Sequence, residues 1–348
     1  MTFAAKITAT GAYLPERILT NAELATMVDT NDEWIIERTG IRERRIAAPD
    51  ETSSTLGAEA ARRALATAGI DGSEIDLVLV GTCTPDGMFP SVASRIQHAI
   101  GATNAGAFDV NAACTGYLSA LSTATQFIAN GTSRRVMVIG AETLSRIVDW
   151  TDRGTCVLFG DGAGATLLEQ ATPGEPGSIE SLVLRSDGSQ AGSLYAGGPA
   201  GLEDHPLARD VNIVMDGRAV FRAAVEDMSS ACRTALDDAG LGIDDIALCV
   251  PHQANERIIR AVARNLGLEM ERVFMNVERY GNTSSATIPI ALHEANVEGR
   301  LKPGDHVLMT AIGGGLTWGA LVAEWGNVRV HQPVTMDAAL ASGRYPPP

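Results

Sequence analysis

Residues 64–79 read ALATAGIDGSEIDLVL, and residues 235–250 read ALDDAGLGIDDIALCV. The two stretches align without a gap. Each contains a helix-forming segment, a glycine that stops it (Gly69 or Gly240) and a short apolar strand. A helix followed by a buried strand is typical of α/β proteins. We therefore expect the same αβ unit to occur twice in this chain.

Two further pairs of segments keep the same order along the chain. Residues 100–108 match residues 266–274, and residues 135–137 are similar to residues 306–308. Any two αβ units share a general pattern, so a single match carries little weight. Three matches in one order favour duplication of the whole chain.

The Pro/Gly-rich connector near residues 171–177 indicates where the two halves meet. We expect a first half at residues 1–172, a second half at residues 173–326 and a C-terminal extension at residues 327–348, to which no role is assigned. The glycine-rich segment 186–211 predicts a long loop.

Composition and charge narrow the class of protein. The chain has 348 residues, of which 45% are hydrophobic, and a formal net charge of −15. It can bury a large core, and its charge disfavours nonspecific binding to nucleic acid, which requires a cationic surface. The N-terminus lacks the features of a signal peptide, and no apolar run approaches the ~18 residues of a membrane span. We expect a globular cytoplasmic protein with neither nucleic acid nor membrane as partner.

Motifs of several common enzyme classes are absent from the sequence. It contains no P-loop, no complete G-x-G-x-x-G, no G-x-S-x-G and no H-E-x-x-H, so nucleotide-binding, serine hydrolase and metalloprotease interpretations lose their usual support. The five cysteines show no C-x-x-C spacing and the six histidines are scattered. We therefore expect neither a disulfide framework nor a metal site.

Cys114 ends a mostly apolar run, AFDVNAAC, and precedes a helix-like segment. A thiol at a helix N-terminus meets free N–H groups and the helix dipole, which favour the thiolate. The same position suits a small buried hydrophobe, which is the usual role of a free cysteine. These residues alone leave both interpretations open.

His252 and Asn282 are polar residues at strand ends in the second half. His252 follows the strand Leu248–Val250, and the duplication places residues 280–282 beside Cys114. A lone histidine is more often structural, and Asn282 could simply cap a helix. The coincidence of three polar groups at strand ends favours a functional site.

Seven motifs together indicate a known family, although each alone is weak. They are DEWI at 32–35 with RTGIR at 38–42, AACTG at 112–116, DRGT at 152–155, FGDGAG at 159–164, PHQAN at 251–255, GNTS at 281–284 and GGGLTWG at 313–319. Over about residues 3–326 the chain resembles the β-ketoacyl-acyl carrier protein synthase III enzymes of the thiolase superfamily. The resemblance implies a five-layered αβαβα fold built from two duplicated halves.

The resemblance also implies a catalytic triad of Cys114, His252 and Asn282. Cys114 would attack an acyl-CoA thioester and release CoA, with the oxyanion held by the N–H groups of Cys114 and Gly314. A malonyl thioester on an acyl carrier protein would then lose CO₂, and His252 and Asn282 would donate hydrogen bonds to the enolate oxygen. The CoA thioester is a substrate, and no other cofactor is implied.

The family pattern assigns further residues to CoA and to the acyl pocket. Trp34 and Arg153 would lie on the two faces of the adenine, although Trp34 alone would pass for a core aromatic residue. The other residues expected near CoA are Thr30, Arg38, Gly217 and Asn255. Phe89 would reach across a homodimer to form the floor of the partner's acyl pocket, and Met88, Leu144 and Ile147 are further candidates for its lining.

Arginines repeat at helical spacing after His252. Arg257, Arg260 and Arg264 fall at i, i+3 and i+7, and Arg218 and Arg222 add an i, i+4 pair. Such a stripe is usually a solvated face. On an acidic protein, beside the expected mouth of the site, we predict that Arg222, Arg257 and Arg264 dock the acidic carrier protein.

Two other functions are considered beside the condensing enzyme. An acyltransferase of the same fold would pass the acyl group to a hydroxyl, an amine or a carrier thiol without decarboxylation, and the complete triad argues against it. A non-catalytic scaffold would have no need of the three residues together. The acyl group, and the choice between fatty-acid and polyketide synthesis, stay open.

Overall fold

The structure is a computed structural model that describes residues 3–198 and 211–329. Most of the expected C-terminal extension and the middle of the expected loop at 186–211 lie outside the described residues. The described start of the extension lies against the edge of a sheet, since Arg329 forms a parallel bridge to Ala9.

Strands and helices alternate along the described chain. The strands are β1 (Ala4–Tyr13), β2 (Arg17–Thr20), β3 (Glu43–Ile46), β4 (Leu77–Gly81), β5 (Gly106–Val110), β6 (Arg135–Thr143), β7 (Asp161–Ala171), β8 (Ile179–Ser186), β9 (Leu194–Ala196), β10 (Ile213–Met215), β11 (Ile246–Pro251), β12 (His306–Gly313) and β13 (Thr317–Glu324). The α-helices are α1 (Asn21–Leu24), α2 (Asp32–Thr39), α3 (Ser53–Ala68), α4 (Val92–Ala99), α5 (Gly116–Ala129), α6 (Gly217–Ala239), α7 (Glu256–Leu266), α8 (Val277–Tyr280) and α9 (Thr287–Val297).

The two large sheets repeat one topology. Their strand orders are β1-β7-β6-β4-β5 and β8-β13-β12-β11. Strand β4 pairs with β6 in parallel, as β11 does with β12, and the other corresponding pairs are antiparallel in both sheets. In place of a counterpart to β5, the second sheet has a single parallel bridge between Cys249 and Val273.

The repeated sequence has the same local structure in both halves. Helix α3 ends at Gly69 and helix α6 at Gly240, and both glycines are left-handed (φ 68° and 70°), a conformation that costs glycine little. A short 3₁₀ turn then leads into β4 or β11. The connector at 171–177 lies between β7 and β8, and the exact boundary at residue 172 stays a prediction.

Strands β4, β6, β7 and β12 are buried on both faces over most of their length, which explains their apolar runs. Along β4, Val78 and Val80 pack with α3 and α4, whereas Leu77 and Leu79 face the central helices. Helices α5 and α9 lie between the two sheets, and α6 and α7 cover the outer face of the second sheet. The five-layered αβαβα arrangement is therefore confirmed.

The duplication is offset from the expected alignment near the site. The 3₁₀ turn at 113–115 and the turn at 284–286 each lead into a central helix, and each begins with a left-handed residue, Ala113 (φ 46°) or Ser284 (φ 49°). Cys114 therefore corresponds to Ser285 and not to residues 280–282. The short helix α8 precedes the second turn and accounts for the shift.

The segment predicted as one long loop contains regular structure. A 3₁₀ helix spans residues 188–193, and β9 pairs with β10 as an antiparallel ribbon. Its glycine and serine content hid these short elements from the sequence pattern. In the described part of the chain, no helix is long and apolar enough to cross a membrane.

The packing of the central layer against β6 leaves no space for a side chain at Gly140. A methyl group there would lie 2.2 Å from the carbonyl oxygen of Ser285, so Gly140→Ala forces the turn at 284–286 away from the sheet. We expect a loss of about 1–3 kcal/mol in the free energy of unfolding, as in other overpacked cores. Denaturant unfolding at fixed protein concentration measures it.

Gly188→Ala is the matched control, because no atom lies within 4 Å of the added methyl group. Its unfolding free energy should stay within about 0.5 kcal/mol of the unsubstituted protein. Equal stability of both variants would contradict this account of the central layer.

Candidate active site

Cys114 lies where the first sheet meets a central helix. It sits in the 3₁₀ turn at 113–115, between β5 and α5, and is 8% exposed. The second half closes against it, since a methyl group at Gly313 would lie 2.6 Å from the backbone nitrogen of Cys114. Only glycine permits this contact, which places the GGG motif directly beside the cysteine.

The protonation of Cys114 differs from the expectation of a stabilised thiolate. Its position at the start of a helix is as predicted, but burial raises the pKa of the thiol to about 12. A hydrogen bond with the Ser284 hydroxyl opposes this rise, and the carboxylate of Glu142 adds to it. Burial of Cys114 thus favours the neutral thiol, in opposition to the N–H groups and dipole at the helix start.

His252 follows β11 and is 2% exposed. Its backbone N–H donates to Thr310 (2.7 Å), and its Nδ1 atom lies 2.7 Å from the Thr287 hydroxyl. Burial lowers the pKa of the imidazole to about 3. The ring is thus neutral at physiological pH, and Nε2 is the ring nitrogen left for a ligand.

The amide of Asn282 is held in one orientation. Its Oδ1 accepts a hydrogen bond from the backbone N–H of Ser284 (2.8 Å), and its backbone N–H donates to Leu158 (2.8 Å). Because Oδ1 is engaged with a donor, the NH₂ group is the part available for a ligand. Asn282 can therefore donate a hydrogen bond without any change of protonation.

One cavity of about 300 Å³, here called the triad cavity, brings the three predicted residues together. Cys114, His252 and Asn282 all line it, with the CoA candidates Trp34, Arg38, Gly217 and Asn255. The predicted triad thus shares one cavity with four of the six residues expected near CoA. The sequence reasoning grouped these residues correctly in space.

A second cavity of about 300 Å³ meets the first at Cys114. Cys114, Phe159 and Leu194 line both, and the apolar side chains that line the second include Leu144 and Ile147. Gly314 also lines it. Met88 and Phe89 do not contribute within the protomer, where their exposures are 69% and 84%.

A hydrogen-bond network behind Cys114 was not anticipated from the sequence. The buried carboxylate of Glu142 accepts from the Thr84 hydroxyl (2.6 Å) and the Ser285 hydroxyl (2.8 Å). Cys83 lies 3.5 Å from both carboxylate oxygens and 3.7 Å from the Ser284 hydroxyl. A lone glutamate in the apolar strand VMVIGAET was the available sequence signal.

The aromatic slot expected for adenine is closed in this structure. The Arg153 guanidinium lies 5.2 Å from the Trp34 ring centroid, and that of Arg38 lies 5.8 Å away. A base between two planes needs about 7 Å, which is two contacts of about 3.5 Å. Arg153, which also donates to the Asp29 carbonyl (2.9 Å), must therefore turn outward before a base can enter.

The other CoA candidates differ in how free they are to bind a ligand. The Asn255 side chain already caps α7 through the Arg257 N–H (2.8 Å) and donates to the Arg38 carbonyl (3.0 Å). Gly217 begins α6. Thr30 lies outside the lining of the triad cavity, but its hydroxyl oxygen is buried without a hydrogen-bond partner.

The arginine stripe lies on the exposed face of α7. Arg257, Arg260 and Arg264 are exposed, whereas Ile258, Ile259, Val262 and Ala263 between them are buried. Arg257 lies 5.8 Å from the ring centroid of Phe221, which lines the triad cavity, so its charge sits at the cavity mouth. Arg260 pairs with Glu256 (2.7 Å), and Arg222 is exposed on α6.

The described side chains give no sign of a metal centre. No group of three or more His, Cys, Asp or Glu residues in ranges 3–198 and 211–329 could hold a metal ion. All five cysteines are free thiols.

Comparison with known proteins identifies the family. Residues 108–188 match the family model of 3-oxoacyl-[acyl-carrier-protein (ACP)] synthase III, and residues 236–325 match that of its C-terminal part. The beta-ketoacyl-[acyl-carrier-protein] synthase III of Erythrobacter litoralis is 50% identical over 324 residues, which cover 92% of this chain and 99% of that protein.

Solved structures agree with the sequence match. The 3-oxoacyl-[acyl-carrier-protein] synthase III of Aquifex aeolicus is 46% identical, with a TM-score of 0.87 over 92% of this chain and all of that one. The priming β-ketosynthase of the R1128 polyketide pathway is 40% identical, with a TM-score of 0.87 over 93% of this chain and 97% of that one. This chain therefore belongs to the 3-oxoacyl-[acyl-carrier-protein] synthase III family.

Proposed function

We propose that this protein is a condensing acyltransferase that joins an acyl-CoA primer to malonyl-acyl carrier protein. The observation that carries the proposal is the single cavity shared by Cys114, His252 and Asn282. A nucleophilic thiol and two neutral polar groups suit a reaction that first stores an acyl group and then stabilises an enolate. The product is a 3-oxoacyl-carrier protein, with CO₂ and CoA released.

The first step transfers the acyl group to Cys114. Its sulfur forms a bond to the thioester carbon, the bond from that carbon to the CoA sulfur breaks, and the thiol proton leaves with CoA. The N–H groups of Cys114 and Gly314 stabilise the oxyanion. The apolar second cavity, which begins at Cys114, then holds the acyl chain.

The second step requires hydrogen-bond donors that carry no net charge themselves. The malonyl thioester loses CO₂, and the electron pair of the broken C–C bond passes into the enolate, which attacks the carbonyl carbon of the acyl-cysteine. A new C–C bond forms as the C–S bond to Cys114 breaks, and the cysteine sulfur leaves as a thiolate that takes a proton from solvent. Asn282 and His252 donate hydrogen bonds to the enolate oxygen. The fixed amide of Asn282 and the neutral ring of His252 support these roles.

The CoA and carrier-protein contacts complete the proposal. CoA binds along Trp34, Arg38, Gly217 and Asn255, with Arg153 turned to the outer face of the adenine and Thr30 offering its unpaired hydroxyl. Arg222, Arg257 and Arg264 dock the acidic carrier. The reaction needs no metal or further cofactor, and free thiols suit the reducing cytoplasm.

A homodimer accounts for the exposed apolar residues of the first half. Phe89 and Met88 are 84% and 69% exposed, and Phe108 lies on the edge strand β5 with 39% exposure. A free sheet edge beside exposed aromatic side chains favours association. In the dimer, Phe89 closes the partner's second cavity.

The raised pKa of Cys114 predicts how alkylation of the free enzyme depends on pH. Below its pKa the thiolate fraction grows about tenfold per pH unit, so iodoacetamide labelling of Cys114 should accelerate steadily from pH 7 to pH 9. Peptide mass spectrometry follows the label, Cys114→Ala sets the background, and acyl-CoA should protect. If the labelling rate reached a plateau below about pH 8, the helix N-terminus would lower the pKa of the thiol by more than burial raises it.

The triad assignment predicts that its members fail at different steps. Cys114→Ala should form no acyl-enzyme. Asn282→Ala should still form it but should lose condensation by about 10²-fold or more, as when one oxyanion donor is removed. Intact-mass detection of the acyl adduct and a malonyl-carrier condensation assay separate the steps. Undiminished condensation by Asn282→Ala would refute its role.

The docking patch predicts a selective effect on one substrate. Arg257→Glu and Arg264→Glu should each raise KM for malonyl-carrier protein severalfold and change KM for acyl-CoA much less, because the carrier is acidic. The rise in KM for malonyl-carrier protein should become smaller in 1 M salt, where the Debye length is about 3 Å.

The control for this patch is Arg62→Glu. Arg62 lies on α3, in the opposite outer layer of the fold, and receives the same change of charge. It should leave both KM values unchanged. An equal rise for both substrates in Arg257→Glu and Arg264→Glu would argue against docking.

A further inference from the structure

The tautomer of His252 matters because the ring is neutral. A neutral imidazole has one N–H and one lone pair, and only the Nε2–H form can donate to a ligand in the triad cavity. In that form Nδ1 carries the lone pair and accepts a hydrogen bond. In the ranges 3–198 and 211–329, the partner that the structure gives to Nδ1 is the hydroxyl of Thr287, 2.7 Å away.

Thr287 is the first residue of α9 and is buried, with 2% exposure. Its hydroxyl has one proton and two acceptors within reach, His252 Nδ1 at 2.7 Å and the carbonyl oxygen of Ser284 at 2.9 Å. The position of that proton decides the tautomer. If it points to Ser284, Nδ1 must carry the N–H, and Nε2 presents a lone pair to the cavity.

The Ser284 carbonyl does not depend on the hydroxyl. It already accepts the backbone N–H of Thr287, which closes the 3₁₀ turn at 284–286. A buried Nδ1 lone pair would, by contrast, have no donor if the hydroxyl turned away, and buried polar atoms are normally paired. The hydroxyl proton is therefore free to serve Nδ1 at no cost to the turn.

We propose that Thr287 is a positioning residue that donates its hydroxyl proton to Nδ1 of His252 and so holds the N–H of the ring at Nε2. This inference rests on the proposed function, in which His252 donates to the enolate oxygen. It assigns a role to the residue five positions after Asn282 on the same chain segment. The chain segment that carries Asn282 thus also orients the second donor.

The direct test reads the tautomer by ¹⁵N NMR of protein labelled at its six histidines, with His252→Ala to assign the signals. Unsubstituted protein should show Nε2 protonated and Nδ1 unprotonated. Thr287→Ser should keep this pattern, and Thr287→Val should lose it. A protonated Nδ1 in the unsubstituted protein would overturn the proposal, whatever the behaviour of the variants.

Kinetics give a second, independent readout. Thr287→Val should form the acyl-enzyme at a rate within about threefold of normal, while kcat for condensation falls on the order of ten- to hundredfold, since a donor is misdirected and not removed. Thr287→Ser should restore kcat to within about threefold. Condensation by Thr287→Val at the normal rate would refute the positioning role.

Thr166→Val is the matched control for loss of a buried hydroxyl. Thr166 is fully buried and pairs with the Tyr117 hydroxyl (2.9 Å), not with the triad. The Thr166→Val variant should be less stable but should keep the kcat and the ¹⁵N signals of His252 unchanged. If Thr287→Val does not fold, the tautomer of the unsubstituted protein still decides. Absence of condensation in the unsubstituted protein would instead refute the proposed function and leave the tautomer reading intact.

Discussion

The geometry of the site depends on one buried carboxylate that joins the two halves. Glu142 is completely buried and receives donors from the first half, through Thr84, and from the second half, through Ser285. Burial raises its pKa, and these donors oppose the rise. A shift of one half against the other would strip donors from a buried carboxyl group, which is costly. The relative position of the two halves at the site is therefore held in part by a group that does not line the triad cavity.

The same junction shows how a duplicated fold produces an asymmetric site. Ala113 and Ser284 occupy equivalent left-handed positions, a conformation that is unfavourable for non-glycine residues and is found mostly where function requires it. The first turn presents the thiol of Cys114, whereas the second presents hydroxyl groups and is preceded by the amide of Asn282. Shared backbone geometry thus presents a thiol from one half and an amide and hydroxyl groups from the other.

The sequence predicted those features that depend on local chemistry. The glycine caps at Gly69 and Gly240 and the apolar strands that follow are specified within a few residues, and strand-end loops from the two halves bring Cys114 near His252 and Asn282. The contacts of Glu142 with Ser285 and of His252 with Thr287 join residues 143 and 35 positions apart. No pattern of spacing reports such pairs. The two interpretations of Cys114 differ for a related reason, because the helix start is local, whereas burial, which raises the pKa of the thiol, depends on the whole fold.

The charges around the triad cavity explain why neutral hydrogen-bond donors suit decarboxylation. A malonyl carboxylate and the enolate formed from it carry the same charge, so a cation at the carboxylate would stabilise the ground state and add to the barrier. Among the described residues that line the cavity, the cationic side chain is Arg38, which lies at Trp34 and not at the triad. His252 is neutral, and the Asn282 amide has no charge to lose. In the proposed mechanism such donors face the thioester oxygen and gain strength only as negative charge moves onto it, which stabilises the transition state more than the bound substrate.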